Sequence, residues 1–232
     1  FGLRLKIMLQ KFRNNILKVY NLFRADEFEQ HMRKCDIYRE LTIFDIGSHK
    51  GQTSLYFNKI FDKSHIYAFE PSPILFESFQ KNTSRHSNIK SYNFGFGEIP
   101  TSAYLNNPSS DLCGQVRFEN ENSFQKIKLD SINNFCSKQN ISQIDLLKID
   151  TEGHEISVLK GASELLNSCA IKAIYLECDF NIDDPQHTFF HNIFNYLTER
   201  SFAFHGLFEV IHYSRNYGIG YCNALFINRE II

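Results

Sequence analysis

From residue 41 the chain alternates between short, nearly continuous apolar runs and longer stretches whose apolar positions recur every three or four residues. LTIFDIG (41–47), HIYAFE (65–70), IDLLKID (144–150) and IKAIYLEC (171–178) are of the first kind and rich in strand formers. GQTSLYFNKIF (51–61), Pro71 to about Phe79, GHEISVLKGASELL (153–166) and residues 186–200 are of the second. Strands apolar on both faces, alternating with amphipathic helices, predict right-handed βαβ units around a parallel sheet covered on both sides. IKSYNFGFG (89–97) predicts one further strand, and a helix is expected from Asp130 to about Lys138. Between 98 and 128 the alternation lapses. Pro100, Asn106-Asn107-Pro108 and Gly114, among short alternating runs, predict a β-hairpin or irregular insertion. SFAFHGLFEVIHY (201–213) and YCNALFIN (221–228) predict a closing antiparallel pair.

Residues 1–24 hold Arg4, Lys6, Lys11, Arg13, Lys18 and Arg24 without an acid, and Leu5, Leu9, Phe12, Ile16 and Phe23 fall at helical spacing. The preferred reading is a helix that packs its apolar stripe on the domain. The alternative is peripheral contact with an anionic membrane surface. With a second short helix at 26–39, residues 1–40 form a helical appendage to one domain at 41–232. Composition narrows the class. Lys and Arg total 25 against 26 Asp and Glu, which leaves no field for nucleic acid as a partner. No window is apolar enough to span a bilayer, and no secretory signal peptide is read. The six cysteines form no CxxC and no zinc-finger spacing, so reduced thiols and a cytoplasmic location are expected.

Parallel sheets bind ligands beyond the carboxyl ends of their strands. There the first run closes on Asp45, Gly47 and Gly51, a spacing that is neither the dinucleotide fingerprint nor a Walker loop. Glu70 closes the second run, where a carboxylate can accept from ribose hydroxyls. Asn93, Gly95, Gly97 and Glu98 follow the third, where an adenine can lie against glycine backbone and Glu98 can accept from its amino group. After the fourth come Asp150, Thr151, Glu152, Gly153, His154 and Glu155. Three carboxylates and an imidazole in one turn suit a general base, although helix capping accounts for part of the pattern. Lys148 reads as a buried partner for an acid on a neighbouring strand. The clustered carboxylates and imidazole can also hold a metal, but no ligand spacing is defined there and no metal residues are assigned.

DIGSHKG, AFEPSP, NFGFGE and above all LLKIDTEGHEISVLKGA resemble the FkbM-type S-adenosylmethionine-dependent methyltransferases over about residues 41–228. The resemblance implies an α/β, Rossmann-like class I methyltransferase fold, seven-stranded with the last strand antiparallel. It implies S-adenosyl-L-methionine as cofactor and methyl transfer to a hydroxyl of a sugar, glycan or small-molecule acceptor. By motif, Asp45, Gly47, Gly51, Glu70, Asn93, Gly95, Gly97 and Glu98 are expected to bind the cofactor, with Glu98 in place of the usual Asp. Asp150 or His154 is expected as the base, oriented by Glu152. A non-catalytic cofactor-binding module in a glycan-assembly complex and a nicotinamide oxidoreductase are the alternatives. Acceptor contacts are sought in the loops 99–128, 179–188 and 213–222, at Asn181, Asp183, Asp184, His187, Tyr213, Arg215, Asn216 and Tyr217.

Overall fold

The computed structural model describes residues 28–32, 40–61, 63–106, 114–119, 124–184, 186–212 and 218–231. The chain divides into two compact units, 1–38 and 39–232. In the first, residues 28–32 are helical, with Phe28 and Met32 buried. The expected amphipathic helix at 1–24 lies outside the described residues, as do the acceptor candidates Tyr213, Arg215, Asn216 and Tyr217. Among the described residues no helix is long and apolar enough to cross a membrane.

The second unit is built on a seven-stranded sheet. Its strands are β1 (Leu41–Ile46), β2 (Ser64–Phe69), β3 (Ile89–Tyr92), β8 (Ile144–Ile149), β9 (Ile171–Asp179), β10 (Phe202–Phe208) and β11 (Tyr221–Asn228). They run in the order β10-β11-β9-β8-β1-β2-β3. Pairing from β9 to β3 is parallel throughout, while β11 is antiparallel to both its neighbours. The last strand is therefore the reversed one, and it lies inside the sheet. Helices α1 (Gln52–Ile60), α2 (Pro73–Thr83), α3 (Ile132–Gln139), α4 (Glu155–Lys160), α5 (Ser163–Asn167) and α6 (Phe190–Thr198) make the crossovers. Their boundaries follow local chemistry. Ser72 caps α2, accepting from Leu75 N at 3.4 Å with Pro73 in its first turn, and Leu75, Phe79 and Thr83 make its buried face. Ser131 caps α3 in the same way, and Asn140 closes it in the left-handed region.

Two expectations are corrected. The run 89–97 is not one strand. It ends at Tyr92, where Asn93 Nδ2 donates to the carbonyls of Glu70 (2.8 Å) and Pro71 (3.2 Å) and turns the chain out of the large sheet. Past Phe94 the chain forms β4 (Gly95–Phe96) of a second sheet, with β5 (Thr101–Leu105), β6 (Val116–Arg117) and β7 (Gln125–Asp130) in the order β4-β7-β5-β6. The insertion is thus more than a hairpin, and Ala103, Leu105, Ile127 and Leu129 give it a small core of its own. Nor is 153–166 one helix. A Cβ on Gly161 would lie 2.1 Å from the carbonyl oxygen of Gly97, so the backbones meet there and the helix breaks into α4 and α5.

The many phenylalanines pack as a cluster. Phe135 of α3 meets Phe69 edge-on at 5.0 Å and Tyr92 at 5.1 Å, and Phe44 and Phe96 join them. This cluster fixes the carboxyl ends of β1, β2 and β3 relative to β4.

Candidate active site

A pocket with about 610 Å³ of empty space opens at the carboxyl ends of β1, β2 and β8, with the small sheet as its opposite wall. Gly47 makes its floor. It has φ +75, and a Cβ there would fall 1.7 Å from the carbonyl oxygen of Asp150, so only glycine lets β1 and β8 end so close together. Glu70 stands beside it, 5% exposed. Its Oε2 accepts from His49 N at 2.9 Å and its Oε1 from Ser72 N at 2.8 Å. Burial pushes its carboxyl up to about 7, against the pull of those two amides and of Lys148.

Asp45 and Gly51 lie outside the pocket lining. Asp45 is fully buried, accepts from Ser54 Oγ at 2.5 Å, and pairs with Lys148 at 3.2 Å, its register partner on β8. Lys148 also donates to the Gly47 carbonyl at 3.0 Å and pairs with Asp150 at 3.3 Å. Burial opposes its charge, yet Asp150 and Asp45 outweigh that and raise it. This lysine binds the end of β8 to the Gly47 turn. Gly51, at φ +90, faces Phe79 and Thr83 of α2, so its role is packing.

Asp150, Thr151, Glu152 and His154 line the pocket. Glu155, 1% exposed, is the anchor of their turn. Its Oε1 accepts from Thr151 N (2.8 Å), Thr151 Oγ1 (2.9 Å) and Gly153 N (3.3 Å), and its Oε2 accepts from Thr188 Oγ1. The turn needs positive φ at Glu152 (+54) and Gly153 (+94). That backbone places the Glu152 carboxylate 4.0 Å from His187, which differs from the expected role of orienting Asp150 or His154.

On the small-sheet side, Gly95 and Phe96 line the pocket with Leu75 and Leu129. Asn93 and Gly97 do not. Asn93 is occupied by the turn described above, and Gly97 lies beneath the His154 ring, its Cβ position 3.2 Å from Nε2. Glu98 is corrected outright. Its half-exposed carboxylate turns to Lys160 at 3.8 Å, away from the pocket, and its backbone N donates to Ser157 Oγ. His154 stands nearer the place expected of Glu98. Its Nε2 is buried without a hydrogen-bond partner among the described residues, and burial lowers its pKa.

Glu177, which the motifs do not single out, belongs to this corner. The register Ile149↔Leu176 sets Asp150 beside Glu177 one step further along, within hydrogen-bond reach. Burial first, then Asp150, Glu152 and Glu155, push its carboxyl well above the usual range. The signal for it is a glutamate interrupting the apolar run IYLEC. His187, expected only as a generic acceptor-loop group, lies 3.5 Å from Glu177 and stacks on Tyr221 with ring centres 5.0 Å apart.

A doubly wound sheet with one reversed internal strand, carrying its pocket at the switch between β1 and β8, is the class I methyltransferase fold. Solved structures share it. A putative rRNA methylase from Clostridium thermocellum superposes with a TM-score of 0.52 at 6% identity, covering 87% of this chain and 93% of its own. TrmK of M. capricolum, in complex with S-adenosylhomocysteine, gives 0.51 at 13%, covering 89% of this chain and 68% of its own. The Methyltransferase FkbM domain matches residues 45–204, and the chain belongs to that family. Methyltransferase 1 of Beauveria bassiana is 28% identical over 145 residues, 53% of this chain and 58% of that protein. Hexuronic acid methyltransferase AglP of Haloferax volcanii is 25% identical over 150 residues, 61% of this chain and 57% of that protein. The chain thus matches somewhat over half the length of these relatives.

The cofactor of this class is S-adenosyl-L-methionine, and the residues present fit it. Glu70 is a buried carboxylate on the pocket wall, suited to hydroxyl donors. Gly95, Phe96, Leu75 and Leu129 make an apolar slot of a kind that takes a flat base, and the unsatisfied His154 Nε2 lies beside that slot.

Proposed function

We propose that this chain is an S-adenosylmethionine-dependent O-methyltransferase acting on a hydroxyl of a sugar, glycan or sugar-like small molecule. The observation that carries the reading is the pocket, lined both by the buried acid Glu70, suited to ribose, and by Asp150 and Glu152 of the turn after β8. The hexuronic acid methyltransferase among its relatives supports the acceptor class. Bound cofactor supplies a methyl group on a sulfonium, which leaves as the neutral thioether S-adenosylhomocysteine.

The chain's own residues then divide the work. Glu70 holds the ribose hydroxyls. His154, whose buried nitrogen lacks a partner, pairs with the amino edge of adenine and takes the role first expected of Glu98. An orphaned buried polar atom costs about 1–3 kcal/mol, which such a ligand contact recovers. Asp150 is left as the group facing the acceptor. Lys148 fixes its position, and it can accept the acceptor's hydroxyl hydrogen bond and take the proton as the oxygen attacks.

Two variants test the division. Asp150→Asn should bind S-adenosylhomocysteine within a few fold of wild type and lose roughly 10²–10⁴ in turnover on a hydroxyl acceptor. His154→Ala should weaken S-adenosylhomocysteine by about tenfold, and by much less an analogue lacking the adenine amino group. Equal turnover in Asp150→Asn and wild type would remove Asp150 from the chemistry. Failure of the wild-type chain to bind S-adenosylhomocysteine would end the methyltransferase reading.

A further inference from the structure

His187 sits at the centre of a ring of carboxylates beside the pocket. Its Nδ1 lies 3.3 Å from Asp184 Oδ2 and 3.9 Å from Asp179 Oδ2. Its Nε2 lies 3.5 Å from Glu177 Oε2 and 4.0 Å from Glu152 Oε2. The side chains are largely enclosed, His187 at 11% and Glu177 at 13% exposure. Stacking on Tyr221 holds the plane of the imidazole, and the Asp184 contact orients its Nδ1 side.

That arrangement leaves Nε2 aimed at two carboxylates. If Nδ1–H donates to Asp184, Nε2 presents a lone pair beside the Glu152 and Glu177 carboxyls, the arrangement of a metal-binding imidazole. Glu177 Oε2 gives an independent sign of a ligand there. It is buried and accepts no hydrogen bond among the described residues. One ligand atom each from Glu152, Glu177 and His187 lies within 4.8 Å of the others. Ligands about 2.1 Å from an ion sit about 3.0–3.4 Å apart, so modest side-chain adjustment closes the set.

We propose that Glu152, Glu177 and His187 form a divalent-cation site at the acceptor end of the pocket, with Asp184 orienting the imidazole. One nitrogen and two carboxylate oxygens suit manganese or zinc better than calcium or magnesium. The imidazole held by a carboxylate on its far nitrogen is a recurrent arrangement of metal-binding histidines. Glu152 lines the pocket, so an ion there has a face toward the acceptor and can take one of its hydroxyl oxygens as a further ligand. It would screen the acids that otherwise repel an anionic sugar. This use of the ion rests on the O-methyltransferase reading; the site itself does not. It also supplies the ligands that the sequence left unassigned.

The test is manganese binding to the full chain after chelator treatment, followed by electron paramagnetic resonance, with zinc as competitor. One saturable equivalent of micromolar affinity or tighter is expected, displaced by zinc, and manganese should raise the melting temperature. Glu177→Gln and His187→Asn should each weaken binding by at least tenfold, with Asp184→Asn showing a smaller loss. S-adenosylhomocysteine affinity, measured on the same samples, serves as the control for folding. Wild-type protein that binds S-adenosylhomocysteine but shows neither a manganese equivalent nor a thermal shift overturns the site and leaves the methyltransferase reading standing. Unchanged manganese affinity in folded Glu177→Gln and His187→Asn overturns the ligand assignment. Manganese binding without any S-adenosylhomocysteine binding supports the site and sinks the other reading.

Discussion

Glu70 carries a testable consequence of its burial. Its ordinary value is 4.5 and its value in the fold is about 7, so the folded state favours the protonated form. Stability from this group is present below about pH 4.5 and is lost as pH rises towards 7, by up to about 3 kcal/mol. Glu70→Gln should flatten that part of the pH–stability curve in denaturant unfolding. Cofactor binding runs the opposite way, because the ionised carboxylate is the better acceptor for two hydroxyls. Wild-type affinity for S-adenosylhomocysteine should rise between pH 5.5 and 8. Glu70→Gln should bind about 10- to 150-fold more weakly at pH 8 and respond less to pH. A flat wild-type profile in calorimetry would remove Glu70 from the ribose site. The neighbouring Asp45, equally conspicuous in the sequence, acts elsewhere. As a buried acid opposite Lys148 it stabilises the ends of two strands, and it does not line the pocket.

At the scale of elements, the turn from Asp150 to Glu155 is where binding geometry and fold stability meet. Glu155 satisfies two backbone amides and two hydroxyls, and it holds Glu152 in a left-handed conformation that costs a non-glycine residue about 1 kcal/mol or more. Glu155→Gln puts an amide where some of those donors point. It should destabilise the chain by about 2–4 kcal/mol in urea unfolding, and an unchanged midpoint would show that the turn does not depend on it. The crowding of acids at 150–155 was legible because strand ends are short and local. Which acid caps, which faces the ligand and which faces His187 was not, since that depends on two positive φ angles and on Thr188 from another segment. Glu98 shows the same limit: its place after the third run suggested an adenine contact, but its carboxylate turns to Lys160 on α4. Likewise no helical period records that Gly161 must admit the backbone of Gly97.

Over the whole molecule, the alternation of runs was enough to read the parallel sheet and its closing antiparallel pair, while the reversal of the last strand came with the family resemblance. The second sheet was hidden because β4, β5, β6 and β7 are short and join residues distant in sequence, such as Gly95 with Leu129. Among the described residues, every one that lines the pocket lies within 39–232. A chain beginning at Arg39 should therefore bind S-adenosylhomocysteine with the affinity of the full chain in calorimetry. A loss of more than tenfold would assign residues 1–38 a part in the site.

The insertion of β11 between β9 and β10 bears on how the molecule is made. On the ribosome, β10 emerges before the strand that separates it from β9, so it has no place in the sheet until residues 221–228 follow. Until then β9 keeps an open edge from Ala173 to Asp179, including Glu177, and open edges invite pairing with other chains. The acidic corner is consequently among the last parts to close during synthesis. A nascent chain that has not yet released β11 can hold the Gly47 turn and Glu70, but not the Tyr221 ring that supports His187. The vulnerable interval in this protein's biogenesis is thus set by strand order, and it ends only when the penultimate gap in the sheet is filled.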